Sequence, residues 1–319
     1  MQRRRLGRSG PEVPPIVLGG NVYGWTLSEE QSLRQLDRAV DLGLNFIDTA
    51  DVYSRWAPGH HGGESETIIG KWFARSGRRK DVILATKVGM DMGDGKKGLR
   101  GNYIEQAVEA SLRRLQTDYI DLYQAHTDDQ VTIQEETLGA FNKLVQSGKV
   151  RYIGASNFAG GRLASAIKLS RENGWAEYIS IQPHYNLVER LTFEKDLLPV
   201  VKKYELGVIP YFSLAAGFLT GKYRQGSDTS GAARGGMVKK YFNEQGFAVV
   251  DVLEGVAARH DVSAAQVALA WLLAQPGVTA PIASATSDQH LDDLVGATTL
   301  RLTDVDLRAL NEVSAGVAA

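Results

Sequence analysis

The chain has 319 residues, with 36 Lys plus Arg against 37 Asp plus Glu and a formal net charge of −1. That balance lacks the basic excess of a nucleic-acid or membrane-surface protein, and 43% hydrophobic with 23% charged residues is ordinary for a folded soluble chain. The absence of cysteine removes disulfides, thiolate metal sites, iron–sulfur clusters and cysteine nucleophiles, so chemistry has to come from oxygen and nitrogen groups or a cofactor.

Arg3, Arg4, Arg5 and Arg8 near the start precede no apolar stretch of signal-peptide length. The longest apolar run, Val267 to Ala274, is too short to span a bilayer, and the expected location is cytoplasmic. The arginines read as the solvated beginning of a strand.

A helix–glycine–strand unit then repeats. Ser28 and Gln31 have the form of a capping box, Leu33, Leu36 and Val40 recur at helical spacing, and Gly43 precedes the strand Leu44 to Ile47. Asn102 with Glu105 and Thr132 with Glu135 predict further helix starts, followed by strands Ile120 to Tyr123 and Val150 to Gly154. Helices ending at Gly174 and Gly207 lead into Tyr178 to Ile181 and Val208 to Tyr211. With Pro15 to Leu18, Val82 to Thr86 and Thr279 to Ala283, eight apolar strands alternate with helices. Right-handed crossovers allow an open sheet or a barrel, and eight units favour closure. The expected fold is a single (β/α)8 TIM barrel domain over 1–319, with long βα loops at its C-terminal face and a mobile loop at Gly226 to Gly236.

In such a barrel the chemistry sits where strands end. Asp48, Lys87 and His126 stand there at intervals of 39 residues, with Ser156, Asn157, Gln182 and Tyr211 at later strand ends and Tyr53 in the loop after Asp48. A phenol, ordinarily near 10, has to fall by about 3 to exchange protons near neutrality, which is roughly 4 kcal/mol. One ammonium about 4 Å away supplies about that at an effective dielectric near 20. Lys87 is thus expected to depress Tyr53, Asp48 to hold Lys87 charged, and His126 to bond a substrate oxygen.

Two features are set aside. His60 and His61 tempt a metal reading, but no third ligand stands at suitable spacing. Gly93 to Gly98 matches GxGxxG literally, yet about fifteen residues separate Thr86 from Asn102, so it reads as a flexible loop over the barrel mouth.

GLNFIDTADVY (Gly43 to Tyr53), ATKVG (Ala85 to Gly89), DLYQAH (Asp121 to His126), IGASNF (Ile153 to Phe158), IQPHYNL (Ile181 to Leu187) and LAAGFLTGKYR (Leu214 to Arg224) together resemble the aldo-keto reductases over nearly the whole chain. The resemblance implies a barrel that binds a nicotinamide dinucleotide without a Rossmann fold and interconverts carbonyls and alcohols. It makes Tyr53 the general acid/base, Asp48 and Lys87 its tuners, and His126 the group that orients the carbonyl. Ser156, Asn157 and Gln182 would hold the carboxamide and Tyr211 would stack on the ring. Phe212, Leu214, Gly217, Leu219 and Lys222 would follow the pyrophosphate, with Ser284, Thr286 and His290 near the adenosine phosphate. Tyr23, Trp25 and Trp56 resemble the substrate wall.

Two departures stand out. Phe212 and Ser213 replace the usual Ser-Pro, and Pro281 to Leu294 has no Arg or Lys to clamp a 2′-phosphate. NADP(H) is the implied cofactor, with NAD(H) an alternative. The partner is a small carbonyl or alcohol, with no nucleic acid, membrane or metal, and the sequence carries no oligomeric state or substrate identity. Two other functions remain open: a Schiff-base lyase using Lys87, and a nicotinamide-binding redox-sensing subunit without significant turnover.

Overall fold

The apolar runs are buried along their whole length, as strands covered by helices must be: all six residues of Ile120–Ala125 are buried. The computed structural model describes residues 1–316. Its strands are β1 (Val17–Gly19), β2 (Phe46–Asp48), β3 (Ile83–Val88), β4 (Ile120–Ala125), β5 (Val150–Ser156), β6 (Tyr178–Gln182), β7 (Gly207–Val208) and β8 (Ile282–Ala283). Neighbours in sequence pair in parallel, and β8 pairs with β1. The ring closes between β7 and the approach to β8, where Thr279 N–H donates to Val208 C=O at 2.8 Å and Ile282 N–H to Pro210 C=O at 2.9 Å. This is the (β/α)8 barrel.

An antiparallel hairpin, Arg4–Arg5 with Glu12–Val13, precedes it. Leu6 and Val13 join Val17, Phe46, Ala85, Leu122 and Ile282 in one buried cluster, which fills the lower barrel interior. Two residues further along β2, β3 and β4 stand Asp48, Lys87 and Gln124, on the same inward face by the period of a strand. The interior therefore changes from apolar to polar at its upper end.

The helices are α1 (Glu29–Asp41), α2 (Glu64–Ser76), α3 (Gly101–Leu115), α4 (Gln134–Gln146), α5 (Gly160–Asn173), α6 (Leu198–Tyr204), α7 (Glu244–His260), α8 (Ala264–Ala274), α9 (Asp288–Thr299) and α10 (Asp304–Val313). The Ser28/Gln31 capping box on α1 is present in both directions. The other two expected boxes are not. At α3 the Gly101 N–H bonds the Glu136 carboxylate at 2.8 Å, and Arg100 stands before the helix without a side-chain cap. At α4 the Thr132 hydroxyl donates to Asp129 at 2.7 Å, leaving Ile133 at the cap position.

Gly207 is likewise not a helix stop. Glu205, at φ +54, takes the left-handed position after α6, and Gly207 sits in β7, where a Cβ would lie 2.5 Å from Leu6 Cδ1. Strand seven ends at Val208, so Tyr211 lies in the following loop. The Gly226 to Gly236 segment runs into a helical turn at Gly235–Val238.

Candidate active site

Lys87 is 0% exposed at the barrel's polar end, and its Nζ donates to Asp48 Oδ2 at 2.6 Å, Thr49 C=O at 2.8 Å and Tyr53 Oη at 3.1 Å. All three ammonium hydrogens are thereby used. The other Asp48 oxygen accepts from Gln124 Nε2 and Gln182 Nε2, each at 3.0 Å. The carboxylate is thus held from two sides and cannot rotate away from the lysine.

Burial alone would lower the Lys87 ammonium, but Asp48 and Tyr53 outweigh it and hold Lys87 above its ordinary value. The expected depression of Tyr53 is not found. Burial pushes the phenol up, and the Lys87 charge offsets this only in part because Asp48 acts against it. A buried cation whose charge is already matched by a carboxylate exerts a much smaller field than the isolated ammonium assumed from sequence.

His126 follows β4 and packs edge-on to Tyr53, with ring centroids 5.9 Å apart. Burial first and the Lys87 charge second push its imidazole well down, so it is neutral. Its Nδ1 is buried without a hydrogen-bond partner. Trp56, 48% exposed, packs against both Tyr53 and Trp25, at 5.5 Å and 5.3 Å. Tyr23 lies fully buried in the core, leaving Trp25 and Trp56 as the open aromatic surface.

The residues after β5 and β6 form a second linked group. Asn157, at φ +55, donates to His126 C=O at 2.9 Å and Ser156 Oγ at 3.1 Å, and accepts from Tyr211 Oη at 2.8 Å. Asparagine tolerates that left-handed conformation when its amide is bonded locally. Ser156 Oγ donates to Gln182 C=O at 2.9 Å, and Tyr211 stacks on His184 at 5.2 Å with rings 18° from parallel. Where Ser-Pro was expected, Phe212 adopts φ +51 and its carbonyl accepts from Asn186 Nδ2 at 2.9 Å. A left-handed run over Ala215, Ala216 and Gly217 then turns the chain toward the exposed Lys222. Leu214 packs part-buried against the core and Leu219 is buried.

Near β8, Ser284 Oγ donates to Asn21 at 2.6 Å. Ser287 caps α9, and the exposed His290 accepts the Thr286 N–H on Nδ1 at 3.3 Å. Arg38 of α1 reaches this end but is engaged by Asp292 at 2.8 Å and Asp288 at 3.6 Å.

Two site residues escaped sequence reading. Gln124 carried one signal, its place two residues before His126 on the strand neighbouring Lys87. Arg234 carried none: it comes from the long loop after β7, yet its guanidinium lies 5.5 Å from the Trp25 ring and acts electrostatically on Tyr53. Among the described residues it forms no ion pair. Lys222 forms none either.

Residues 15–315 match the Aldo/keto reductase family. The chain is 38% identical to the uncharacterized oxidoreductase YrpG of Bacillus subtilis, over 99% of this chain and 97% of that protein. It is 32% identical to the versiconal hemiacetal acetate reductase of Aspergillus parasiticus, over 98% and 96%. It is also 32% identical to a probable voltage-gated potassium channel subunit beta of Oryza sativa, over 91% and 89%. Members of this family generally use NAD(P)H, and the chain, an oxidoreductase by these relationships, belongs to the aldo-keto reductase family.

Proposed function

We propose that the protein reduces aldehydes or ketones, or oxidises the corresponding alcohols, with NADP(H) and with Tyr53 as the proton-transferring group. The observation that carries this reading is the unbroken chain from Asp48 through Lys87 to Tyr53, at 2.6 and 3.1 Å.

In the reducing direction a raised phenol suits the task, because Tyr53 has to begin protonated and give its proton to the substrate oxygen. As the phenolate forms, the Lys87 hydrogen bond strengthens, and Asp48 keeps the ammonium charged throughout. Neutral His126 beside Tyr53 offers a ring N–H to the same oxygen and sets its angle. Trp25 and Trp56 shield the reacting carbon from water. Ser156, Asn157, Gln182 and Tyr211 would hold a nicotinamide ring with one face toward the substrate, and that group would supply the hydride.

The lyase alternative draws little support. A Schiff-base lysine needs a free electron pair, whereas Lys87 is held above its ordinary pKa with all three hydrogens engaged. Following the nicotinamide absorbance with a panel of aldehydes, ketones and alcohols tests the proposal. Turnover is expected with at least one carbonyl class, and cofactor binding without turnover across the panel would favour the sensing role.

A further inference from the structure

Beside the mouth, a cleft of about 820 Å³ opens between the β2–α2 loop, the β3–α3 loop and α3. Both features set aside in the sequence meet on it: the His60–His61 pair and the Gly93 to Gly98 loop. Its walls carry Arg55, Lys96 and Arg113. Among the described residues none of the three pairs with a carboxylate, while neighbouring Arg114 is matched by Glu66 at 2.7 Å. Asp94 supplies one negative charge at the rim.

Asp51 also lines this cleft, is 2% exposed, and has no side-chain hydrogen-bond partner on either carboxyl oxygen, the Val52 N–H being the one donor acting on it. Burial, then the charge of Glu66, pushes its carboxyl up to about 8, so at pH 7 it is mostly a neutral acid with one donor and spare acceptor capacity. A buried acid with a single backbone N–H beside it still has donor and acceptor capacity to spare. A hydroxyl group matches it, and a doubly charged phosphoryl group matches three unpaired cations.

We propose that this cleft binds a phosphorylated polyol of sugar-phosphate size, with the phosphoryl group against Arg55, Lys96 and Arg113 and a hydroxyl on Asp51. The volume falls within the range of small-molecule sites. The site is separate from the catalytic residues, although Asp51 and Arg55 flank Tyr53 on the same loop.

Calorimetric titration of the NADPH-saturated protein with glucose 6-phosphate, glucose and inorganic phosphate tests this, because saturation blocks the cofactor's own phosphate contacts. Glucose 6-phosphate is expected to bind saturably, with glucose and phosphate each weaker by about tenfold or more. The Lys96→Glu/Arg113→Glu double variant should lose at least about tenfold in that affinity, with NADPH affinity and turnover of an uncharged aldehyde unchanged. Asp51→Leu should lose as much, and Asp51→Asn, which keeps a donor and an acceptor, should stay within about threefold. No saturable binding of glucose 6-phosphate overturns the proposal. So does binding that survives the double variant, or inorganic phosphate binding as tightly as the sugar phosphate. If the Asp51 variants fail to fold, the surface double variant still decides. NADPH saturation is followed separately by fluorescence, so a failure of the catalytic reading is distinguishable from a failure of this one.

Discussion

Tyr53 and Lys87 are joined by a 3.1 Å hydrogen bond in which the ammonium donates to the phenol oxygen. Burial keeps the phenol above its ordinary pKa despite this bond, so in the proposed mechanism the bond would act by stabilising the phenolate as it forms rather than by creating it beforehand.

Lys87→Met should therefore lower kcat for carbonyl reduction by about 10²–10⁴-fold. In alcohol oxidation, where Tyr53 has to lose its proton, the residual activity should shift to higher pH. A full pH–rate profile of the variant checks this, and an unshifted profile would count against the tuning role. The variant should also be less stable by about 3–5 kcal/mol, because Asp48 is left as an unmatched buried charge, and denaturant unfolding measures that.

His290 and the hydroxyls after β8 lead to a prediction on cofactor choice. With Arg38 engaged by aspartates, no free Arg or Lys side chain among the described residues stands there to clamp a 2′-phosphate, so NADPH should be preferred over NADH by less than about a hundredfold. His290, whose Nδ1 accepts the Thr286 N–H, has one ring nitrogen left to bond a phosphate oxygen, so His290→Ala should weaken NADPH by about tenfold or less and leave NADH affinity flat. Fluorescence titrations of both cofactors with the wild type and His290→Ala check it. A large preference that survives His290→Ala would point to Lys222, Arg234 or another loop.

Asp306 ties α10 to α7, accepting from His260 at 2.8 Å, Arg259 at 2.7 Å and the Thr303 hydroxyl at 2.7 Å. Burial would raise its carboxyl, but these bonds outweigh it and hold the group well below the usual carboxylate range. A folded-state pKa below the unfolded one stabilises the fold at pH values above about 4, and the contribution is lost as pH falls through the folded value. Asp306→Ala should cost about 1–3 kcal/mol at pH 7, and the difference from wild type should shrink in strong acid. Urea unfolding at pH 7 and at steps down to about pH 1 measures both.

The polar strand ends were legible because a barrel repeats: Asp48, Lys87 and His126 each close an apolar run, and the run's burial dictates which end is polar. The helix starts were less legible. Thr132 and Asn102 have cap-forming chemistry, but Asp129 takes the Thr132 hydroxyl, and Asn102 lies inside a helix that starts at Gly101, whose N–H Glu136 bonds from the next helix. The direction of Tyr53 was misjudged because its burial and the neutralising charge of Asp48 depend on three-dimensional distance. Arg234 lay outside reach for the same reason, since loop sequence does not say where a loop folds back.

The central claim, that Tyr53 transfers the proton, is tested most directly by single-turnover kinetics of Tyr53→Phe alongside its NADPH affinity. The account predicts that turnover is abolished while the cofactor dissociation constant stays within about threefold, since only the hydroxyl is removed. A variant that binds NADPH normally and reduces substrate at the wild-type rate would contradict it.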